Sequence, residues 1–178
     1  MNPIQTKRLI IRNFAEGDVG DLHAYLSQAE IYLFEPGGPI DQEAARLLVE
    51  ERTKTERFLA VEHIGSGRMI GHLYFAQIEP QQNLTWELGY IFNPAWQGQG
   101  FATEASRALV EWAFANLQVH RVIANCDQKN PASWKLLEKM GMRREGDFRQ
   151  KAWFRRDGQG QPIWIDSYQY AILKDELP

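Results

Sequence analysis

The chain has 178 residues, 44% apolar and 24% charged, with 14 glycines and 8 prolines, which excludes disordered, collagenous and coiled-coil chains and fits one domain over residues 1–178. With 20 Lys+Arg against 23 Asp+Glu the net charge is −3, so no global field draws nucleic acid or anionic lipid, and no apolar run exceeds four residues, far short of a membrane span. Cys126 is the single cysteine, which excludes an intrachain disulfide and a cysteine-built zinc site and leads us to expect a soluble protein of the reducing cytoplasm.

In chain order, Leu9-Ile10-Ile11 reads as a first strand, and Asp18 as the cap of a helix carrying Val19, Leu22, Tyr25 and Leu26 at helical spacing. Asp41 caps a second helix with Ala44, Leu47, Leu48 and Glu51 in step, closed by the charged stretch from Glu50 to Arg57. Phe58 to Val61 and Met69 to Phe75 then read as strands joined by hairpin chemistry at Gly65-Ser66-Gly67. After the loop Pro80 to Asn83, Trp86 to Phe92 reads as a strand with a bulge expected at Gly89 and an end at Pro94.

A long helix is predicted from about Ala102 to Leu117, with Ala105, Ala108, Leu109, Trp112 and Ala113 in one stripe for packing on a sheet. Arg121 to Cys126 is the next strand. Strand, helix, strand makes a crossover, so these two strands are expected to be parallel in an otherwise antiparallel sheet. Asn130-Pro131 supplies a cap and a first helical position, Leu136, Leu137 and Met140 the apolar face, and Gly141 the stop. Met142 to Phe154, a turn at Asp157 to Gly160, and Ile163 to Leu173 close the chain as a hairpin.

Chemistry concentrates in Asn93 to Glu104, between a strand and the start of the long helix. Its glycines admit close backbone approach, and the helix start presents free N–H groups and a positive dipole end, an arrangement suited to a pyrophosphate. A tight turn without ligand is the alternative. The P-loop ending Gly-Lys-Ser/Thr is absent, and a dinucleotide fingerprint would want Gly or Ala at Thr103. Gln/Arg-x-x-Gly-x-Gly/Ala is satisfied by Gln97, Gly100 and Ala102, and here the chain resembles the GNAT superfamily of acetyl-CoA-dependent N-acetyltransferases. Asn130-Pro131-Ala132-Ser133 and Glu138-Lys139-Met140-Gly141 match that family's second motif. Thr6 to Arg12, Glu87-Leu88-Gly89-Tyr90 and the terminal hairpin are similar to the branch that includes ribosomal-protein Nα-acetyltransferases.

The resemblance implies a mixed α/β fold: a mostly antiparallel twisted sheet flanked by helices, with a parallel pair at the splayed fourth and fifth family strands, here Trp86–Phe92 and Arg121–Cys126. It implies that the backbone of Gln97, Gly98, Gln99, Gly100, Phe101 and Ala102 holds the CoA pyrophosphate, that Thr103 adds a hydroxyl, and that Asn125, Asn130 and Ser133 contact the cofactor. Tyr90, Ile91 and Phe92 would grip the pantetheine arm and polarise the thioester through backbone groups, a backbone donor of this kind being worth roughly 3 kcal/mol in other acyl-transfer sites. Their side chains are expected in the core.

The amine must attack uncharged, so the site needs a proton acceptor. Glu87 is the first candidate, with desolvation beside Trp86 and Leu88 as the means of raising its pKa, against a plain solvent-facing carboxylate. Glu35, in Phe34-Glu35-Pro36-Gly37-Gly38, is the second, for base or acceptor contact, against a simple loop charge. Leu137 stands where the family commonly carries an acid tyrosine, which leaves Ser133 as the candidate donor to the departing sulfur, against a mere helix-start bond.

Cys126 has no triad partner at recognisable spacing, and His23, His63, His72 and His120 form no metal pair, so no metal site is expected. Six basic residues from Arg143 to Arg156, interleaved with Phe148, Trp153 and Phe154, could bind RNA, shape the acceptor pocket or simply be solvated; we expect no nucleic-acid or membrane partner. The expected partners are acetyl-CoA and an amine acceptor, in a monomer or homodimer. The acceptor reading is a protein N-terminal α-amine. The alternatives are a small amine (polyamine, antibiotic or amino-acid-like) or a non-catalytic acetyl-CoA sensor.

Overall fold

Strand alternation and two opposed sets of apolar residues give one twisted sheet with helices on both faces. The computed structural model describes residues 1–177. Its strands are β1 (Ile4–Gln5), β2 (Leu9–Asn13), β3 (Phe58–His63), β4 (Arg68–Gln77), β5 (Thr85–Phe92), β6 (Arg121–Asp127), β7 (Arg143–Arg156) and β8 (Pro162–Leu173). They lie in the order β1-β2-β3-β4-β5-β6-β8-β7, antiparallel throughout except for β5 and β6. The helices are α1 (Val19–Leu26), α2 (Gln42–Thr53), α3 (Phe101–Asn116) and α4 (Pro131–Lys139). No helix among the described residues is long and apolar enough to cross a membrane.

The period of two in β5 and β6 divides the core. Leu88 and Phe92, with Val122, Ala124 and Cys126, pack against Ala105, Leu109, Ala113 and Phe114 of α3 and against Leu136 and Leu137 of α4. Ile91 faces the opposite side, where Leu22, Tyr25 and Leu26 of α1 meet Val49 of α2, Ala60 and Met69. The stripe read for the long helix is therefore its buried face.

The parallel pairing of β5 with β6 is short. It runs from Thr85↔Arg121 to Glu87↔Ile123. Beyond Glu87, β5 stays with β4 to Phe92, and β6 stays with β8 to Asp127↔Ser167, so the two strands separate and open a gap between them. The bulge expected at Gly89 does not occur in the β4–β5 ladder, where Tyr74↔Gly89 sits in unbroken register. Register shifts lie instead between Val61 and Glu62 in the β3–β4 ladder and at three places along the β7–β8 ladder.

Side-chain caps explain two of the four helix starts. Asp41 accepts from Ala44 N at 2.8 Å to cap α2, and Asn130 Oδ1 accepts from Ser133 N at 3.1 Å ahead of Pro131 in α4. Asp18 does not cap α1 as expected. Its buried carboxylate accepts instead from Ala15 N (2.8 Å) and from both terminal nitrogens of Arg12 (2.8 and 2.9 Å), because a two-pronged charged bond outweighs a neutral cap. β1 was not foreseen, and β7 runs two residues past Phe154.

Candidate acetyl-transfer site

The gap between β5 and β6 leads into a cleft of about 510 Å³, walled by the end of β5, the glycine loop, the start of α3, α4 and the segment after α1. Tyr90, Ile91, Phe92, Gln97, Gly98 and Gly100 line it. So do Phe101, Ala102, Thr103, Asn130, Ser133 and Glu35. Gln99, Asn125 and Glu87 are not among its lining residues.

The loop is shaped by two left-handed glycines, Gly98 at φ 73° and Gly100 at φ 81°, conformations that L side chains resist. A Cβ at Gly98 would meet nothing within 4 Å, so the surface here is open to an incoming group. Glu104 N is the first α3 amide with a helical acceptor, Gly100 O at 3.0 Å. The amides of Phe101, Ala102 and Thr103 before it belong to the set every helix start leaves open, and they carry the positive end of the dipole. Lys135 and Lys139 of α4 add positive charge along the same cleft. These features fit a pyrophosphate-bearing ligand.

The glutamine side chains turn away from that role. Gln97 Nε2 donates to Phe92 O at 2.9 Å, closing the strand end onto the loop. Gln99 Nε2 turns back towards Ala95 O at 3.5 Å, while its main-chain carbonyl accepts from Arg8 Nη1 at 3.0 Å. Phe101 is buried, with Arg8 over its ring at 4.3 Å and the rings of His63 and Trp96 at 5.3 and 5.9 Å, so only its backbone is available to a ligand.

Arg8 is a residue whose part the sequence reading missed. Its Nε donates to Glu104 Oε2 at 2.7 Å, and Thr6 Oγ1 donates to Glu104 Oε1 at 2.6 Å. Burial would raise the Glu104 carboxyl, but the bonds from Thr6 and Arg8 outweigh it and hold the group below its ordinary range. The signal was present in the Thr6-Lys7-Arg8 opening, without a partner named for it.

The two candidate carboxylates sit differently. Glu87 forms the last β5–β6 pair, upstream of the opening, and Asn125 Nδ2 donates to its Oε1 at 2.7 Å. Asn125 in turn accepts from Lys151 Nζ (2.6 Å) and Gln169 Nε2 (3.2 Å), making a polar row on the exposed side of the sheet. Glu35 stands in the cleft, and burial pushes its carboxyl up to about 7. That is the range in which one group can both take and release a proton near neutral pH.

Also lining the cleft, the Tyr90 hydroxyl lies 2.8 Å from Ser133 Oγ and 3.2 Å from Ser133 O. The Tyr90 side chain, expected as core, thus reaches the head of α4; its shared face with Trp86, Leu88 and Phe92 was the available signal. Leu137 is fully buried and carries no proton to give. Cys126 is buried, and its thiol is pushed up to about 11, mainly by burial, so it stays protonated. His72 is a core imidazole, its Nδ1 2.6 Å from the Tyr25 hydroxyl and its pKa driven well down by burial. Among the described residues no cluster of three or more His, Cys, Asp or Glu could hold a metal.

Comparison with known proteins agrees with this geometry. Residues 8–143 match the acetyltransferase (GNAT) domain family. The chain is 34% identical to the uncharacterized N-acetyltransferase YnaD of Bacillus subtilis (strain 168) over 175 residues, 97% of this chain and 98% of that protein. It is 26% identical to the [ribosomal protein uS5]-alanine N-acetyltransferase of Escherichia coli (strain K12) over 154 residues, 80% and 79% of the two chains. The crystal structure of a GNAT-family acetyltransferase from Bacillus anthracis superposes with a TM-score of 0.88 at 33% identity, covering 98% of this chain and 99% of that one. With the splayed strands, the glycine loop and the α4 motif in one cleft, the chain belongs to the GNAT family and is an N-acetyltransferase that takes its acetyl group from acetyl-CoA.

Proposed function

We propose that the acceptor is a protein N-terminal α-amine and that Glu35 receives its proton. The carrying observation is the position of Glu35: a carboxyl with a value of about 7, lining the cleft that the glycine loop also lines. An α-amine has an ordinary pKa of about 7.7–8.0, against about 10.4 for a lysine-type amine, so a base near 7 suits the former far better. The similarity to an enzyme named for a ribosomal-protein alanine supports the same acceptor class.

In this reading the amides from Gly98 to Thr103 hold the pyrophosphate, and the backbone of Tyr90 to Phe92 lies along the opened strand edge to orient the acyl group. Acetyl-CoA supplies the activated acyl group. Glu35 takes the proton from the amine, and Ser133 sits beside the departing sulfur. Glu87, held by Asn125 where the strands are still paired, supports the sheet below the opening.

The test offers acetyl-CoA with a free-N-terminal peptide, the same peptide N-blocked but containing lysine, and spermidine, and identifies products by mass spectrometry. The reading expects N-terminal acetylation with kcat/KM at least about tenfold above the other two, a difference of about 1.4 kcal/mol. Preferred acetylation of spermidine or lysine would overturn it.

A further inference from the structure

We propose that Tyr90 is a positioning residue for the leaving group: its hydroxyl and that of Ser133 act as one hydrogen-bonded pair that stabilises the thiolate released from acetyl-CoA. The inference rests on the acetyl-CoA reading of the cleft and adds to it a side chain that the backbone role of β5 does not require.

Three observations carry it. First, Tyr90 Oη lies 2.8 Å from Ser133 Oγ, and both residues line the cleft. Second, Tyr90 lies past the final β5–β6 pair, Glu87↔Ile123, and its side chain stands on the sheet face that looks to α4, beside the part of β5 from which β6 has parted. Third, Ser133 stands in the first turn of α4, where Asn130 Oδ1 already takes the Ser133 amide, so capping makes no use of the Ser133 hydroxyl, whose other neighbour besides Tyr90 is the protonated Cys126 thiol. With Tyr90 donating to Ser133 Oγ, the serine proton is left for a second acceptor, and a thiolate leaving CoA draws it more strongly than the neutral Cys126 thiol does. Leu137, one turn on, is sealed in the core and cannot supply that donor.

The chemistry balances without loss of a proton from Tyr90. As the carbon–sulfur bond breaks, its electron pair stays on sulfur, and Ser133 O–H donates a hydrogen bond to it while Tyr90 O–H donates to Ser133 Oγ. The proton that finally yields the thiol is the one given up by the amine. Burial pushes the Tyr90 phenol well above its usual value, opposed by the Ser133 bond, so it remains a donor across the working range. The ionisable groups around it are Glu35 after α1, Cys126 on β6 and Tyr170 on β8.

The experiment needs no acceptor. CoA is bound to the wild type, Tyr90→Phe and Ser133→Ala, and the ultraviolet absorbance of its thiolate is followed as pH rises. An ordinary thiol titrates near about 8.5, and the pair should lower the wild-type midpoint by about one unit relative to either variant, tenfold in the dissociation constant. Each protein is titrated with CoA at saturation, and the double variant should be no worse than the worse single one, as for residues acting as a unit. An isosteric fluorotyrosine at position 90, a stronger donor that keeps the packing, should lower the midpoint further. Coincident midpoints in the wild type and Tyr90→Phe, or no response to fluorotyrosine, would overturn the pair alone. Failure of the wild type to bind CoA would overturn the cleft reading beneath it.

Discussion

Arg8 and Glu104, 96 positions apart, are joined by a 2.7 Å bond from Nε to Oε2, which ties the start of β2 to the first turn of α3. The same guanidinium holds Gln99 O at 3.0 Å, so one side chain fixes both the glycine loop and the helix that follows it. Arg8→Ala should loosen the loop without touching the reacting atoms. Steady-state kinetics should show KM for acetyl-CoA rising roughly 3- to 10-fold, the equivalent of about 0.6–1.4 kcal/mol, with kcat within about twofold. A fall in kcat with KM unchanged would contradict this.

Glu35 should govern the pH profile. Its carboxyl is raised from 4.5 to about 7 by burial, so kcat/KM should fall as pH drops through 7 and the base is lost. Glu35→Gln should lower kcat by about 100-fold and flatten the acid limb. An unchanged acid limb in the variant would remove Glu35 from the mechanism.

The same shift has a stability consequence with a fixed sign. A carboxyl whose folded pKa exceeds its unfolded value contributes stability below 4.5 and loses it as pH rises through about 7. Glu35→Gln should therefore raise Tm by a few degrees above neutral pH and change it little or lower it in acid. Thermal melts at the two extremes check the sign.

Glu87→Gln separates the two carboxylates. Because Glu87 sits at the last parallel pair, with Asn125 on its Oε1, the substitution should leave kcat within about threefold, well under the 100-fold or more that loss of a general base costs. A 100-fold loss in Glu87→Gln, with Glu35→Gln active, would transfer the base to β5.

Gly71 supports the sheet beneath the cleft. An added Cβ would lie 2.6 Å from Ile91 O and 2.8 Å from the Phe92 ring. Gly71→Ala should cost about 1–3 kcal/mol by overpacking, which lowers Tm by about 2–4 °C per kcal/mol in a chain of this size.

What could be read in the sequence was local chemistry. The α3 stripe, the Asn130-Pro131 start and Gly141 stop of α4, and the glycine loop each depend on neighbours within a few positions, and all stand where expected. β1 pairs only Ile4 and Gln5 with Ile11 and Ile10, too short to show a period. Asp18 obeyed Arg12 rather than the helix start, a competition between partners that spacing rules do not rank. The strands open with no bulge in the β4–β5 ladder, because β6 follows β8 rather than β5, a choice made across the sheet. Glu35 and Tyr90 come together only once the segment after α1 folds over the end of β5, so their shared cleft was invisible to either segment alone.

The most direct test of the cleft assignment is calorimetric titration of CoA into the wild type and Gly100→Trp. Gly100 is left-handed at φ 81° and lines the cleft at the head of α3, and a Cβ there would stand 3.6 Å from Arg8 Nη2, so a tryptophan should force the loop out of the shape that the pyrophosphate requires. The account predicts one CoA bound per wild-type chain, and affinity weakened by at least about 100-fold in a variant that still melts cooperatively. Equal affinity in the two proteins would contradict it.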